Sequence, residues 1–150
     1  MELVIGESVK ETNRVFIKSY TEEYCKAITE NYREYHIRTL KGNLSGNYPE
    51  YARQQLDEIE NGTANLMKFE IREGKKYYKI VQVEYDTFQN RNEYRDRSVH
   101  SFVDKNTGNV YKAASWKAPA KHIRYNLLNE TSRLMCYNRA DWSGGYLYMR

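Results

Sequence analysis

KNTGNVYKAASWKAPAKHIRYNLLN, Lys105–Asn129, runs without one Asp or Glu and carries Lys105, Lys112, Lys117, Lys121 and Arg124. Lys105-Asn106-Thr107-Gly108 has the composition of a hairpin turn, with glycine where a left-handed backbone is needed. Val110–Ser115 then reads as a strand pairing back on Ser98–Asp104. Pro119 reads as the first turn of a helix, where its missing N–H would be unpaired anyway. Ala120, Ile123 and Leu127 fall on that helix's inner face, and the pattern fades near Asn129–Ser132. The junction sets Trp116 and Lys117 beside free helical amides, an arrangement suited to anions.

Upstream the apolar period is two. Met67, Phe69 and Ile71 alternate with Lys68, Glu70 and Arg72, and Glu73-Gly74 turns the chain into a strand over Lys76–Tyr85. Ile80, Val81 and Val83 crowd that second strand with apolar residues, as in a central position. Asp86–Arg95 is polar, a loop or a solvated strand extension. The pattern predicts an antiparallel meander of about four strands.

Before the strands the period is helical. Thr12 or Asn13 caps a helix through about Arg38, with Ile17, Tyr20, Tyr24, Ile28, Tyr32 and Tyr35 on one face. A second helix follows Lys41–Asn47, with Asn47 as N-cap, Pro49 in the first turn and Glu50 at the capping-box position. Tyr48, Ala52, Leu56 and Ile59 form its inner face, and Asn61-Gly62 ends it. Leu3–Ile5 reads as a short strand stopped by Gly6, and Tyr146–Arg150 as a strand-like end. The expected fold is α+β in a single domain: two N-terminal helices, the meander, one helix and a short C-terminal strand.

Tyr is abundant at 15 of 150 residues against 4 Phe. A tyrosine-rich core suits a thin domain, or one that completes its packing by self-association. Cys25 and Cys136 match no zinc or redox spacing, and with no signal-like start they read as free thiols of a cytoplasmic protein. No apolar run approaches the ~20 residues needed to span a bilayer. The net charge of +4 hides a gradient: residues 1–63 hold eight Lys and Arg against eleven Asp and Glu, and residues 64–150 hold sixteen against nine. Such polarity steers an anionic partner to one face.

The candidate ligand-binding residues are Lys112, Trp116, Lys117, Lys121 and Arg124, with His122 and Asn126 as further polar contacts. Lysines supply charge, Trp116 a stacking surface and Arg124 a fork for phosphate or carboxylate. Tyrosines interleave with lysines at Lys75-Lys76-Tyr77-Tyr78-Lys79 and Tyr111-Lys112, the pattern on which single strands stack. His36, His100 and His122 are dispersed, so no metal site, catalytic constellation or cofactor is expected. Gly144-Gly145 lacks the strand–helix context of a phosphate loop.

Asp104–Val110, followed by Lys112-Ala113-Ala114-Ser115-Trp116-Lys117-Ala118-Pro119-Ala120-Lys121-His122 and Arg124, resembles a group of small, largely uncharacterised tailed-phage proteins. Their Tyr-Leu-x-Arg-like end corresponds here to Tyr146-Leu147-Tyr148-Met149-Arg150, which has one extra residue before the final Arg. The likeness covers about the last 55 residues of the sequence. It implies a phage origin and an accessory or counter-defence role in the host cytoplasm.

The expected function is a non-enzymatic protein binding a nucleotide or nucleic acid at the basic strand–helix corner. The competing reading is a protein–protein or virion-associated structural role, through a host protein or a homo-oligomer seam at Tyr20, Tyr24, Ile28 and Tyr32. A small phosphate-handling enzyme is a third.

Overall fold

The computed structural model describes residues 2–149, with side chains from residue 8 to residue 149. One helix organises it. Helix α1 (Glu2–Asn43) lies against a five-stranded antiparallel sheet and buries Ile17, Thr21, Tyr24, Cys25 and Ile28 along one stripe. Spacings of three and four residues put these side chains on a single helical face. Thr21 satisfies its buried hydroxyl within the helix, donating to the carbonyl of Ile17 at 2.7 Å. Because α1 starts at Glu2, it takes in Leu3–Ile5 and passes Thr12 and Asn13, the expected strand and caps.

Helix α2 (Pro49–Asn61) packs on the far end of α1, where Leu40 meets Ala52 and Ile59. Its N-cap is Tyr48, which makes no capping bond and is exposed, so neither the Asn47 cap nor an inward Tyr48 is realised. Glu50 instead pairs with Arg53 at 2.6 Å. Gly62, left-handed at φ 75°, closes the helix.

Strands β1 (Lys68–Glu73), β2 (Tyr77–Asp86), β3 (Glu93–Asp104), β4 (Asn109–Lys112) and β5 (Tyr125–Asn126) lie in sequence order, each antiparallel to the next. The polar stretch after Asp86 is a short 3-10 turn, Phe88–Asn90, and β3 begins at Glu93. Two irregularities leave Arg97 and His100 of β3 without a partner on β2. The second is a bulge, and it turns both His100 and Ser101 toward α1, where a strict alternation would allow only one.

Beyond β4 no helix starts at Pro119. The chain loops back along β4: Ala113 bridges to Pro119, Ala114 and Ser115 both donate to the carbonyl of Ala118, and Ala120 donates to that of Lys112 at 2.7 Å. Proline pushes the residue before it toward extended backbone, and the sheet edge offers the partners that a helix would otherwise supply. Ile123 is left exposed and no apolar helical face forms. The helix comes later. In α3 (Glu130–Arg139), Asn129 is the N-cap and its side chain accepts the N–H of Ser132 at 2.9 Å. A 3-10 turn, Gly145–Leu147, then leads to Tyr148 in extended conformation. The chain is therefore α+β, with two helices, a meander and a third helix.

Candidate ligand-binding face

The helices gather on one side of the sheet. α1 contacts β1, α2 packs on α1, and α3 contacts β5 and α1. The opposite side presents residues of the other parity: Arg72, Tyr77, Lys79, Phe102 and Tyr111, by the pairings Arg72↔Lys79, Lys79↔Phe102 and Phe102↔Tyr111. Here the aromatics meet edge to face, with Tyr77 5.6 Å from Phe102 and 6.3 Å from Tyr111 between ring centroids.

Trp116 joins them from the loop after β4. The ammonium of Lys79 lies 5.0 Å from the Trp116 ring and 5.7 Å from that of Phe102, and Lys76 sits 5.3 Å over Tyr77. Each such contact contributes on the order of 0.5–1 kcal/mol at an exposed site. Among the described residues Lys79 has no acidic partner, whereas the nearby acids are engaged. Glu70 and Asp96 face Arg72 at 3.8 and 2.9 Å, and Asp104 accepts the N–H groups of Asn106 and Thr107 in its own turn. The face is thus cationic and aromatic, and Trp116 is 43% exposed.

The expected ligand-binding residues divide into three groups. Trp116, Lys117, Lys121 and His122 are exposed on the loop, with His122 left-handed at φ 73°. Arg124 and Asn126 are occupied internally. Arg124 donates through Nε to the carbonyl of Leu147 at 2.6 Å, and through a terminal nitrogen to those of Lys121 and, at 2.5 Å, His122. Asn126 donates to the carbonyl of Thr107 and to Asn109 Oδ1, and its own oxygen accepts the N–H groups of Leu128 and Asn129. These two side chains hold the loop and the C-terminal segment in place.

Lys112 stands apart, because its pairing with Ser101 puts it on the helix side of the sheet. Its ammonium lies 4.6 Å from the Tyr148 ring, and the residue lines a pocket of about 150 Å³ with Gln82, Ser98, His100 and Ser143. His100 is nearly enclosed there, and burial holds its imidazole down to about 4.

Sequence reasoning missed Lys79, Phe102 and Tyr111 as one cluster. The signal was present in the alternation of Tyr77, Lys79 and Val81, which commits Lys79 to the side away from α1 once Ile80 faces it. Most of the tyrosine stripe of α1 belongs to the core: Tyr24 and Ile28 are fully buried, Tyr20 and Tyr32 pack half-buried against the core cluster, and Tyr35 is exposed. Tyr24 and Ile28 thus face the domain's own core, while Tyr20 meets Arg133 and Tyr137 of α3 and Tyr32 meets Trp142.

Among the described residues no group of His, Cys, Asp and Glu could hold a metal ion, and no helix is long and apolar enough to cross a membrane. No curated protein and no solved structure matches the chain. A family model does match, over residues 2–149, and the chain belongs to that family, DUF7717, a family of unknown function.

Proposed function

We propose that this protein binds a phosphate-bearing nucleobase ligand, a nucleotide or a nucleic acid, on the open side of its sheet. The observation that carries the reading is the position of Lys79 between the rings of Phe102 and Trp116, with no acid among the described residues to neutralise it. A base stacks on the exposed indole and on the flanking tyrosines, while Lys79, Lys117 and Lys121 meet phosphates. Stacking on one aromatic side chain contributes ~1–3 kcal/mol per base and tolerates any base. The helical amides expected after Pro119 have no part in this. Sequestering a nucleotide signal or masking a nucleic acid, as a phage-encoded counter-defence factor would, is the physiological form of the reading.

The test is a titration of the protein with nucleotides and with a fluorescein-labelled oligothymidylate, read by calorimetry and anisotropy. Trp116→Ala is expected to weaken binding by roughly tenfold, in line with one lost stack, and Lys79→Ala to weaken it and flatten its salt dependence. Trp116 emission should quench on binding, while the partly buried Trp142 provides a constant background. Full affinity in both variants, with unchanged circular dichroism, would refute the reading.

A further inference from the structure

A second cationic feature lies around the sheet edge from the aromatic face. Arg14 and Lys18 of α1, Glu73 at the end of β1, Lys75 of the β1–β2 turn, and Lys105 and Asn106 of the β3–β4 turn line a cleft of about 390 Å³. Its single acid is spoken for: Lys105 donates to Glu73 at 2.7 Å and to the carbonyl of Gly74 at 3.0 Å, clamping the two turns together. Lys105 holds the Glu73 carboxyl below its ordinary range, and Lys18 adds to that pull. Arg14 is oriented by a neutral partner, donating through Nε to Asn106 Oδ1 at 2.9 Å. Its full charge, with those of Lys18 and Lys75, therefore remains available in the cleft.

The cleft and the aromatic face are joined by consecutive residues. Lys75 lines the cleft, Lys76 sits over Tyr77, and Tyr77 and Lys79 belong to the aromatic face. From Tyr77 to Lys79 the strand covers roughly 7 Å, the rise of about two stacked nucleotides of one strand, and Lys76 and Lys75 lie beyond it in the turn. We infer that the ligand is a single strand of several nucleotides, stacked on Trp116 and Tyr77 and continuing its phosphates past Lys76 into the cleft at Lys75, Lys18 and Arg14. This rests on the proposed binding face and extends it: a mononucleotide would fill the aromatic end alone. Charge without bases would fill only the cleft.

Labelled oligothymidylates of two to ten nucleotides, titrated against the full chain at several salt concentrations, test it. Affinity should climb with length and level off once both ends are occupied. Lys18→Ala with Lys75→Ala should weaken the ten-nucleotide strand by roughly tenfold and lower its log–log salt slope by about 1.4, the value for two lost phosphate contacts on a single strand. The dinucleotide should bind the double variant as it binds the native protein. Arg14→Ala, measured separately, should act in the same direction. Equal affinity at every length, or a double variant indistinguishable on the long strand, overturns the cleft while leaving the aromatic face standing. A polyglutamate of equal charge that competes as well as the ten-nucleotide strand also overturns the inference, since charge alone would then suffice. Absence of binding at every length overturns the binding face, and the cleft reading with it.

Discussion

The hydroxyl of Tyr24, midway along α1, donates to Ser101 Oγ in β3 at 3.2 Å, with both side chains fully buried. The bond has a direction that can be worked out from its far end. His100 Nε2 meets the carbonyl of Asp141 at 3.0 Å, and a carbonyl only accepts, so Nε2 carries the proton. Nδ1 of the neutral ring then accepts from Ser101, at 2.9 Å. Ser101 accepts from Tyr24, and the Tyr24 oxygen accepts from Tyr146. Each hydroxyl has one proton and each is used. Burial accordingly keeps Tyr24 and Tyr146 protonated far above the ordinary phenol range.

Removing one hydroxyl therefore orphans two neighbours. Tyr24→Phe keeps the ring and its edge contact with His100 but leaves Ser101 without a donor and Tyr146 without an acceptor. A cost of about 1–3 kcal/mol is expected, measured as a lower urea midpoint with an unchanged slope. Tyr51→Phe, on an exposed tyrosine, should leave the midpoint where it was.

Burial of His100 makes stability depend on pH in a stated window. Its folded value is about 4 against an ordinary 6.5, so between these the unfolded chain takes up a proton that the folded chain refuses. The contribution is complete above the ordinary value and is lost as pH falls toward 4. Its full size is roughly 3 kcal/mol. His36, also depressed by burial, adds a smaller part of the same sign. Urea melts of the native chain should weaken between pH 7 and pH 4.5, and His100→Gln should flatten most of that slope. An equally steep decline in the variant would refute the assignment.

Cys25 and Cys136 are both buried, and desolvation pushes both thiols up to about 12. The thiolate is the nucleophile, so neither should react with iodoacetamide at pH 8 in the folded protein. Both should label in denaturant. Mass spectrometry of the alkylated chain reads the outcome directly, and rapid native labelling of either would contradict the packing.

Much of this architecture was legible in the sequence wherever one period held for several residues. Ile17, Tyr24 and Ile28 announce α1, and Met67, Phe69 and Ile71 announce β1, because each set marks one buried face. The misreadings sit where tertiary partners decide. Pro119 has the chemistry of a helix start, yet the carbonyls of Lys112 and Ala118 at the sheet edge take the loop's amides first. The real start, Asn129 before Glu130, carried an ordinary capping signal that the fading apolar pattern obscured. His100 and Ser101 both face α1 only through a bulge, and no alternation of two encodes that. Arg124 looked like a phosphate fork because composition does not show which carbonyls fold toward it.

Its three carbonyl contacts make Arg124 a strap between the loop and the C-terminal 3-10 turn. Hydrogen bonds from a charged group contribute about 1.5–3 kcal/mol, so Arg124→Ala should lower stability by that order. Arg124→Lys should not restore it, since an ammonium cannot reproduce the planar fork. Amide exchange at Gly145–Tyr148 should accelerate in both variants. The salt slope of oligonucleotide affinity should stay unchanged in Arg124→Ala; a drop of about 0.7, one single-strand phosphate contact, would return Arg124 to the ligand.

Gly108 and Gly62 share a left-handed backbone, at φ 77° and 75°, but differ in what surrounds them. A methyl group added at Gly62 meets nothing within 4 Å, whereas at Gly108 it would lie 3.3 Å from Leu128 Cγ and 3.5 Å from Ile17 Cγ1. Gly108 is also where the β3–β4 turn closes: its N–H donates to the carbonyl of Asp104, and its own carbonyl accepts from Leu127. Gly62→Ala should therefore carry the backbone cost alone, roughly 1–2 kcal/mol. Gly108→Ala should carry that cost and a packing cost of about 1–3 kcal/mol besides. Denaturant melts of the two variants side by side isolate the difference. Equal losses would mean that Ile17 and Leu128 yield without resistance, and that α1 is not seated tightly against the turn that shapes the cleft.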